Sequence, residues 1–214
     1  MQRKTHSLPL FCAEKYYILW EAIKMRNAKR RRKMEVLDQQ GLTQEQVIEQ
    51  TKKKNYPKPA LTVDVLVFLE GKLLLIRRGR HPYAGMWAAP GGFVDPNERV
   101  EEAAERELME ETGLTGMVPQ LLGVYSKPGR DPRGWNVSCA FTCQAPAGSI
   151  PKAGDDAAQA GWFSVEKDSH GYTLKGEDTV LKIEADGEGK YLSDEGFAFD
   201  HGEIVLAALR YWGI

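Results

Sequence analysis

With 214 residues, 42% of them hydrophobic and 28% charged, the chain reads as an ordinary soluble globular protein, long enough to bury a core without covalent staples. Its net charge of -1 excludes a nucleic-acid binder or an acidic tail as the role of the whole chain. The three cysteines, Cys12, Cys139 and Cys143, form no CxxC pair and have no histidine at zinc-finger spacing, which excludes a structural zinc and fits a reducing compartment.

The first apolar stretch, residues 8–13, contains Pro9 and ends at Glu14, too short for the hydrophobic region of a signal peptide. No stretch approaches the ~20 apolar residues of a membrane span. The expected protein is therefore cytoplasmic, with no membrane partner. Residues 12–34 carry Tyr16, Leu19, Trp20 and Ile23 at helical spacing and predict a helix. Its end is basic, with Lys24, Arg26, Lys29, Arg30, Arg31, Arg32 and Lys33. Such a run reads as an anion-contacting patch or, the preferred reading, as a solvated helix end whose cations suit the macrodipole. Gly41 is a stop. Thr43-Gln44-Glu45-Gln46 is a capping-box pattern that opens a second, short helix. Residues 52–59 hold Pro57, Pro59 and unbalanced lysines, the composition of a linker. The expected domains are a helical N-terminal extension and linker over residues 1–57 and a main domain over 58–214.

Beyond residue 58 the period changes to two. Val63, Val65, Val67 and Leu69 alternate with Thr62, Asp64, Leu66 and Phe68, and Glu70-Gly71 turns the chain into residues 72–77, a β-hairpin pattern. Further strands are expected at 121–126, 137–144 and 160–163, and helices at 100–112 and 201–212. Residues 166–196, rich in Gly, Asp and Glu around strand-like pieces at 172–175 and 180–184, read as an inserted hairpin. Strands on both sides of one strong helix, without regular βαβ alternation, predict an α/β class with a mixed, α+β-like sheet.

The helix at 100–112 breaks local rules. On a wheel at ~100° per residue, Val100, Ala103, Ala104 and Leu108 form the apolar stripe that faces a sheet. Glu107, Glu110 and Glu111 fall in the same arc, whereas Glu101, Glu102 and Glu105 do not. Carboxylates at i, i+3 and i+4 repel, and burial makes that worse. They also occupy the last turn before Gly113, where the macrodipole disfavours anions. Violations concentrated in one place mark a functional site, and a hard divalent cation removes all three objections.

Residues 92–114 fit the pattern G-x5-E-x7-R-E-U-x-E-E-x-G-U, with U aliphatic, at Gly92, Glu98, Arg106, Glu107, Leu108, Glu110, Glu111, Gly113 and Leu114. This resembles the Nudix box at every fixed position, a highly specific signal. The resemblance implies a Nudix α/β/α sandwich and a hydrolase that uses Mg2+, or Mn2+ in its place. It implies that Glu107, Glu110 and Glu111 bind the metal, with the Gly91 carbonyl as an added ligand. Arg106 can orient Glu110 through an i, i+4 ion pair, and Glu98 is a supporting partner in the family pattern. The general base is either a box glutamate or a carboxylate of a later loop, for which Asp155 and Asp156 are the candidates.

The resemblance runs over roughly residues 60–212. Residues 73–78, Trp87-Ala88-Ala89-Pro90-Gly91-Gly92, Arg130-Asp131-Pro132-Arg133-Gly134-Trp135 and Phe197-Ala198-Phe199-Asp200-His201 together look like the ADP-ribose pyrophosphatase branch. That implies a small-molecule nucleotide substrate and the products AMP and ribose 5-phosphate. Arg77 and Arg78 point to opposite faces of their strand; Arg78 is chosen to face the phosphates. Asp131-Pro132-Arg133-Gly134 makes a turn that offers Arg133 to a phosphate, with Trp135 at the rim. His201 is expected to cap or pack the last helix. The alternatives are a house-cleaning nucleoside triphosphatase or RNA 5′-end pyrophosphohydrolase, although a nucleic-acid partner is not favoured. A third is an ADP-ribose-sensing regulator, which would need a winged-helix domain beyond the last helix. The N-terminal extension and the 166–196 segment are candidates for a homodimer interface or for reshaping the pocket.

Overall fold

The structure is a computed structural model that describes residues 39–54, 57–154, 157–186 and 188–214. The helix expected at 12–34, its basic end and the two carboxylates at 155 and 156 lie outside the described residues. The chain divides into two units, residues 1–57 and Lys58–Ile214.

In the first unit, helix α1 spans Gln44–Lys53. Thr43 Oγ1 accepts from the Gln46 N–H at 3.2 Å and Gln46 Oε1 accepts from the Thr43 N–H at 2.8 Å, so each side chain satisfies a donor that the first turn leaves without a helical partner. The expected linker begins too early, because Lys52 and Lys53 belong to the last helical turn, where cations complement the macrodipole.

The second unit runs β1 (Ala60–Leu69), β2 (Lys72–Arg78), β3 (Trp87–Ala88), β4 (Gly91–Phe93), α2 (Val100–Thr112), β5 (Gln120–Tyr125), β6 (Asn136–Gln144), β7 (Ala157–Lys167), β8 (Gly171–Lys175), β9 (Val180–Ala185), β10 (Tyr191–Glu195) and α3 (His201–Tyr211). One mixed sheet has the order β10-β9-β8-β7-β2-β1-β6-β5, with β3 on β2 and β4 on β1. Strand β1 is its axis. It is antiparallel to β2, where Phe68 faces Leu73, and parallel to β6, where Val63 faces Cys139.

Both faces of β1 are covered. Val63, Val65 and Val67 pack with Ala103, Ala104 and Leu108 of α2; Leu66 and Phe68 pack with Ile204, Val205 and Leu209 of α3. The result is a helix–sheet–helix sandwich, and each fully buried Leu or Val in it contributes roughly 1.5–3 kcal/mol. A strand covered on both faces reads as a continuous apolar run. Asp64, at 7% exposure, is the one carboxylate inside that run.

The hairpin expected within residues 166–196 is present, with its two pieces antiparallel, but it is a continuation of the main sheet and not a separate unit. Its strand-like pieces are β8 and β9; β8 pairs onto β7, β9 onto β8 and β10 onto β9, so the segment extends the main sheet. Leu174, Leu181 and Ile183 join the core on the α3 side, so their alternation buries one face in the sandwich. Strands β3 and β4 are too short to show a period. Helix α2 stops at Gly113, whose φ of +69° suits a residue without a Cβ. Among the described residues no helix is long and apolar enough to cross a membrane.

Candidate active site

The end of α2, the segment after β3 and the entry to α3 meet in one open cleft of about 280 Å3. The segment at residues 89–92 is pinned along its length. The Ala89 N–H donates to His201 Nδ1 at 2.9 Å, the Pro90 carbonyl accepts from Val65 at 2.8 Å, and the Gly91 N–H donates to Glu111 Oε2 at 2.8 Å. A Cβ at Gly91 would overlap the backbone of β1, an approach only glycine allows, and one at Gly92 would push the Glu107 carboxylate aside.

The three clustered glutamates differ in burial. Glu111 is 5% exposed, Glu107 is half-buried and Glu110 is exposed. The wheel reading therefore needs correcting for Glu110, which lies at the edge of the arc. Burial, with repulsion from Glu107 and Asp64 added and the Gly91 N–H opposing, pushes the Glu111 carboxyl up to about 8.

Arg106 gathers the other carboxylates. It contacts Glu110 at 3.1 Å, the expected i, i+4 pair, and also Glu107 at 2.7 Å. Its Nε and NH2 donate to the two Glu98 oxygens at 2.8 and 2.9 Å, and NH2 also donates to the Phe93 carbonyl at 2.9 Å. The Arg106 guanidinium, helped by the Asp95 N–H, holds the Glu98 carboxyl down at about 2. Glu98 thus fixes Arg106, and Arg106 fixes Glu107.

Among the described residues no three His, Cys, Asp or Glu side chains are grouped, as they stand, to hold a metal ion; Glu107 and Glu110 are turned toward Arg106. The donor chemistry nonetheless fits a hard divalent cation. Glu107 and Glu111 present carboxylate oxygens to the same cleft beside Gly91, and a cation would offset the burial and repulsion that disfavour the Glu111 charge.

Cationic side chains line the same cleft. Arg78 lines the cleft; its Nε donates to the Pro82 carbonyl and its guanidinium lies 5.0 Å over the Phe199 ring. Arg133 lies 5.0 Å over Phe93 and 5.6 Å over Phe199. The buried Asp131 carboxylate accepts from Arg133 Nε and NH2 and so acts through Arg133. Trp135, 58% exposed, is not among the residues lining the cleft.

Sequence reasoning missed a buried polar wall behind these groups. Arg130, with a side chain 5% exposed, makes a two-point pair with Asp200 at 2.8 and 2.7 Å, donates to Asn136 Oδ1 at 3.1 Å and lies 3.7 Å from Asp64. Asp64 accepts from Ser138 Oγ and faces His201 Nε2 at 3.5 Å. Burial lowers the His201 pKa, and Nδ1 accepts from the Ala89 N–H, which requires that nitrogen to carry no proton. Phe199 has a φ of +55°, a conformation uncommon for a bulky residue. That corner sends Phe199 toward Arg78 and Arg133, Asp200 to Arg130, and His201 to Ala89. The available sequence signal was Asp64, a lone carboxylate in an apolar strand.

Residues 58–176 match the profile of the NUDIX domain, more than half of the chain. The chain belongs to the NUDIX domain family. A crystal structure of a MutT/nudix family protein from Enterococcus faecalis has a TM-score of 0.68 and 35% identity, over 81% of this chain and 70% of that one. An ADP-ribose pyrophosphatase of Methanocaldococcus jannaschii is 49% identical over 110 residues, 51% of this chain and 64% of its own length. The ADPR responsive transcriptional repressor NtrR of Acinetobacter baylyi is 38% identical over 98 residues, 43% of this chain and 39% of its own. The match thus spans less than two thirds of each of these two relatives. Within the Nudix domain all nine fixed box positions fall between β4 and the turn after α2.

Proposed function

We propose that the Nudix domain hydrolyses a pyrophosphate bond in a nucleoside diphosphate joined to another group, with ADP-ribose as the substrate and AMP and ribose 5-phosphate as the products. The observation that carries this reading is one cleft lined both by the carboxylates of Glu107 and Glu111 and by the cations of Arg78 and Arg133. The likeness to an ADP-ribose pyrophosphatase supports the substrate.

Glu107, Glu111 and Glu110, with the Gly91 carbonyl, would hold a divalent cation, Mg2+ or Mn2+. Such an ion neutralises a diphosphate, lowers the pKa of a bound water and stabilises the departing phosphate. The chain's own residues do the rest. Arg133, fixed by Asp131 and by two aromatic rings, presents its charge toward a phosphate oxygen. Arg78 serves the same end from β2. The Glu98–Arg106 pair keeps Glu107 at the cleft. In the overall reaction, water adds across the P–O–P bridge: its oxygen bonds to one phosphorus, and the bridging oxygen leaves with the other.

The similarity to a repressor that responds to ADP-ribose gives a second reading, in which the same cleft binds the nucleotide without cleaving it. The complete set of box glutamates favours catalysis. The test is a panel with Mg2+: AMP or phosphate release from ADP-ribose, NADH, dinucleoside polyphosphates, nucleoside triphosphates and triphosphorylated RNA. AMP with ribose 5-phosphate from ADP-ribose is the expected result. Binding of ADP-ribose without turnover would favour the sensor, and preferred cleavage of triphosphates would sink the substrate assignment.

A further inference from the structure

The Ala89 N–H is a buried backbone donor that the sheet does not use. The acceptor that meets it comes from a residue 112 positions away, Nδ1 of His201 at 2.9 Å. Because Nδ1 accepts, the proton of the neutral ring sits on Nε2, and Nε2 faces Asp64 Oδ1 at 3.5 Å. A neutral imidazole offers an acceptor and a donor at opposite ends of one rigid ring, which this wall requires.

Two residues beyond Ala89, the Gly91 N–H holds the buried carboxylate of Glu111. In register, Gly91 pairs with Asp64. His201 therefore ties three things together: the first turn of α3, the carboxylate of β1 and the segment that places Glu111. Asp200 beside it is committed to Arg130, so the entry to α3 cannot shift without disturbing a second wall of the cleft.

We infer that His201 is a positioning residue, holding residues 89–92 through the Ala89 N–H so that Gly91 keeps Glu111 aimed into the cleft. This rests on the proposed function for its consequence in catalysis. Capping or packing of α3 alone would require only shape. The inference requires an acceptor at the Nδ1 position.

The experiment compares the wild-type chain with His201→Asn, whose amide oxygen stands near the Nδ1 position, and His201→Gln, whose amide reaches the Nε2 position instead. Three quantities are read on the full chain: amide hydrogen exchange at Ala89 and Gly91, the dissociation constant for Mn2+, and kcat and KM for ADP-ribose. In His201→Gln, Ala89 and Gly91 lose protection, Mn2+ binding weakens about 10–100-fold and kcat falls by a similar factor, with KM changed far less. His201→Asn keeps the protection at Ala89 and recovers most of the Mn2+ affinity. Wild-type exchange and Mn2+ affinity in His201→Gln would overturn the inference, and so would His201→Asn no better than His201→Gln. If the wild-type chain bound no Mn2+, the proposed function would fail, while the exchange of Ala89 and Gly91 would still decide the role of His201.

Discussion

Gly91 donates its backbone N–H to Glu111 Oε2 at 2.8 Å, across the 20 residues that separate the start of β4 from the last turn of α2. The accepting carboxylate is buried, and burial with the charges of Glu107 and Asp64 works against its ionisation. A group kept in such a place serves something other than the stability of the fold. Glu111→Gln keeps an acceptor for Gly91 and removes the charge. It should lower turnover by about 1,000-fold, roughly 4 kcal/mol of barrier. The same change should leave the metal-free chain at least as stable as wild type in thermal melts, because a neutral amide replaces a carboxyl that burial already disfavours as an ion. An active Glu111→Gln enzyme would sink the metal assignment.

Arg133 is held by Asp131 and two phenylalanine rings, whereas Trp135 stands outside the cleft. Arg133→Ala should therefore cost about 1–3 kcal/mol of transition-state binding, read from kcat/KM. Asp131→Asn should lose part of the same energy. The double variant should lose less than the sum, since both changes remove one arrangement. Trp135→Ala should change kcat/KM by less than about twofold, under roughly 0.4 kcal/mol. A large Trp135→Ala effect beside a silent Arg133→Ala would reverse the roles given to this loop.

The Arg130–Asp200 pair is a structural test. Both side chains are largely buried, and removing one partner leaves the other charge stranded. Asp200→Asn should destabilise the domain by about 3 kcal/mol in urea titrations, softened by Asp64 at 3.7 Å. No loss of stability would show that the pair holds nothing.

Glu98 gives a prediction in pH. Its folded pKa of about 2 lies below the ordinary 4.5, so its contribution to stability is present above about 4.5 and is lost as pH falls through about 2. The Tm gap between wild type and Glu98→Gln should be widest near neutrality and close over that window. A gap that stays constant to the acid end would show that the Glu98–Arg106 contact contributes no pH-dependent stability.

How much of this was legible in the sequence follows from what each signal depends on. Helix α2 was readable to its ends, because Ala103, Ala104 and Leu108 keep one period and Gly113 closes the last turn. The box residues were readable because their spacing is fixed within one short segment. Asp64 was visible only as a lone carboxylate in an apolar strand, sharing a face with Leu66 and Phe68; its partners Ser138 and His201 come from distant segments. Arg130 and Asp200 lie 70 residues apart, so no local period joins them. Strands β8 to β10 read as an insertion because the pairing of β8 onto β7, which joins them to the main sheet, is not a local signal.

The central claim is the substrate, and the most direct measurement is kcat/KM for ADP-ribose against the best nucleoside triphosphate, on one preparation with Mg2+. The likeness to an ADP-ribose pyrophosphatase, with carboxylates and arginines lining one cleft, predicts that ADP-ribose is preferred and is cleaved to AMP and ribose 5-phosphate. A triphosphate preferred by about tenfold or more, roughly 1.4 kcal/mol of transition-state binding, would contradict the account.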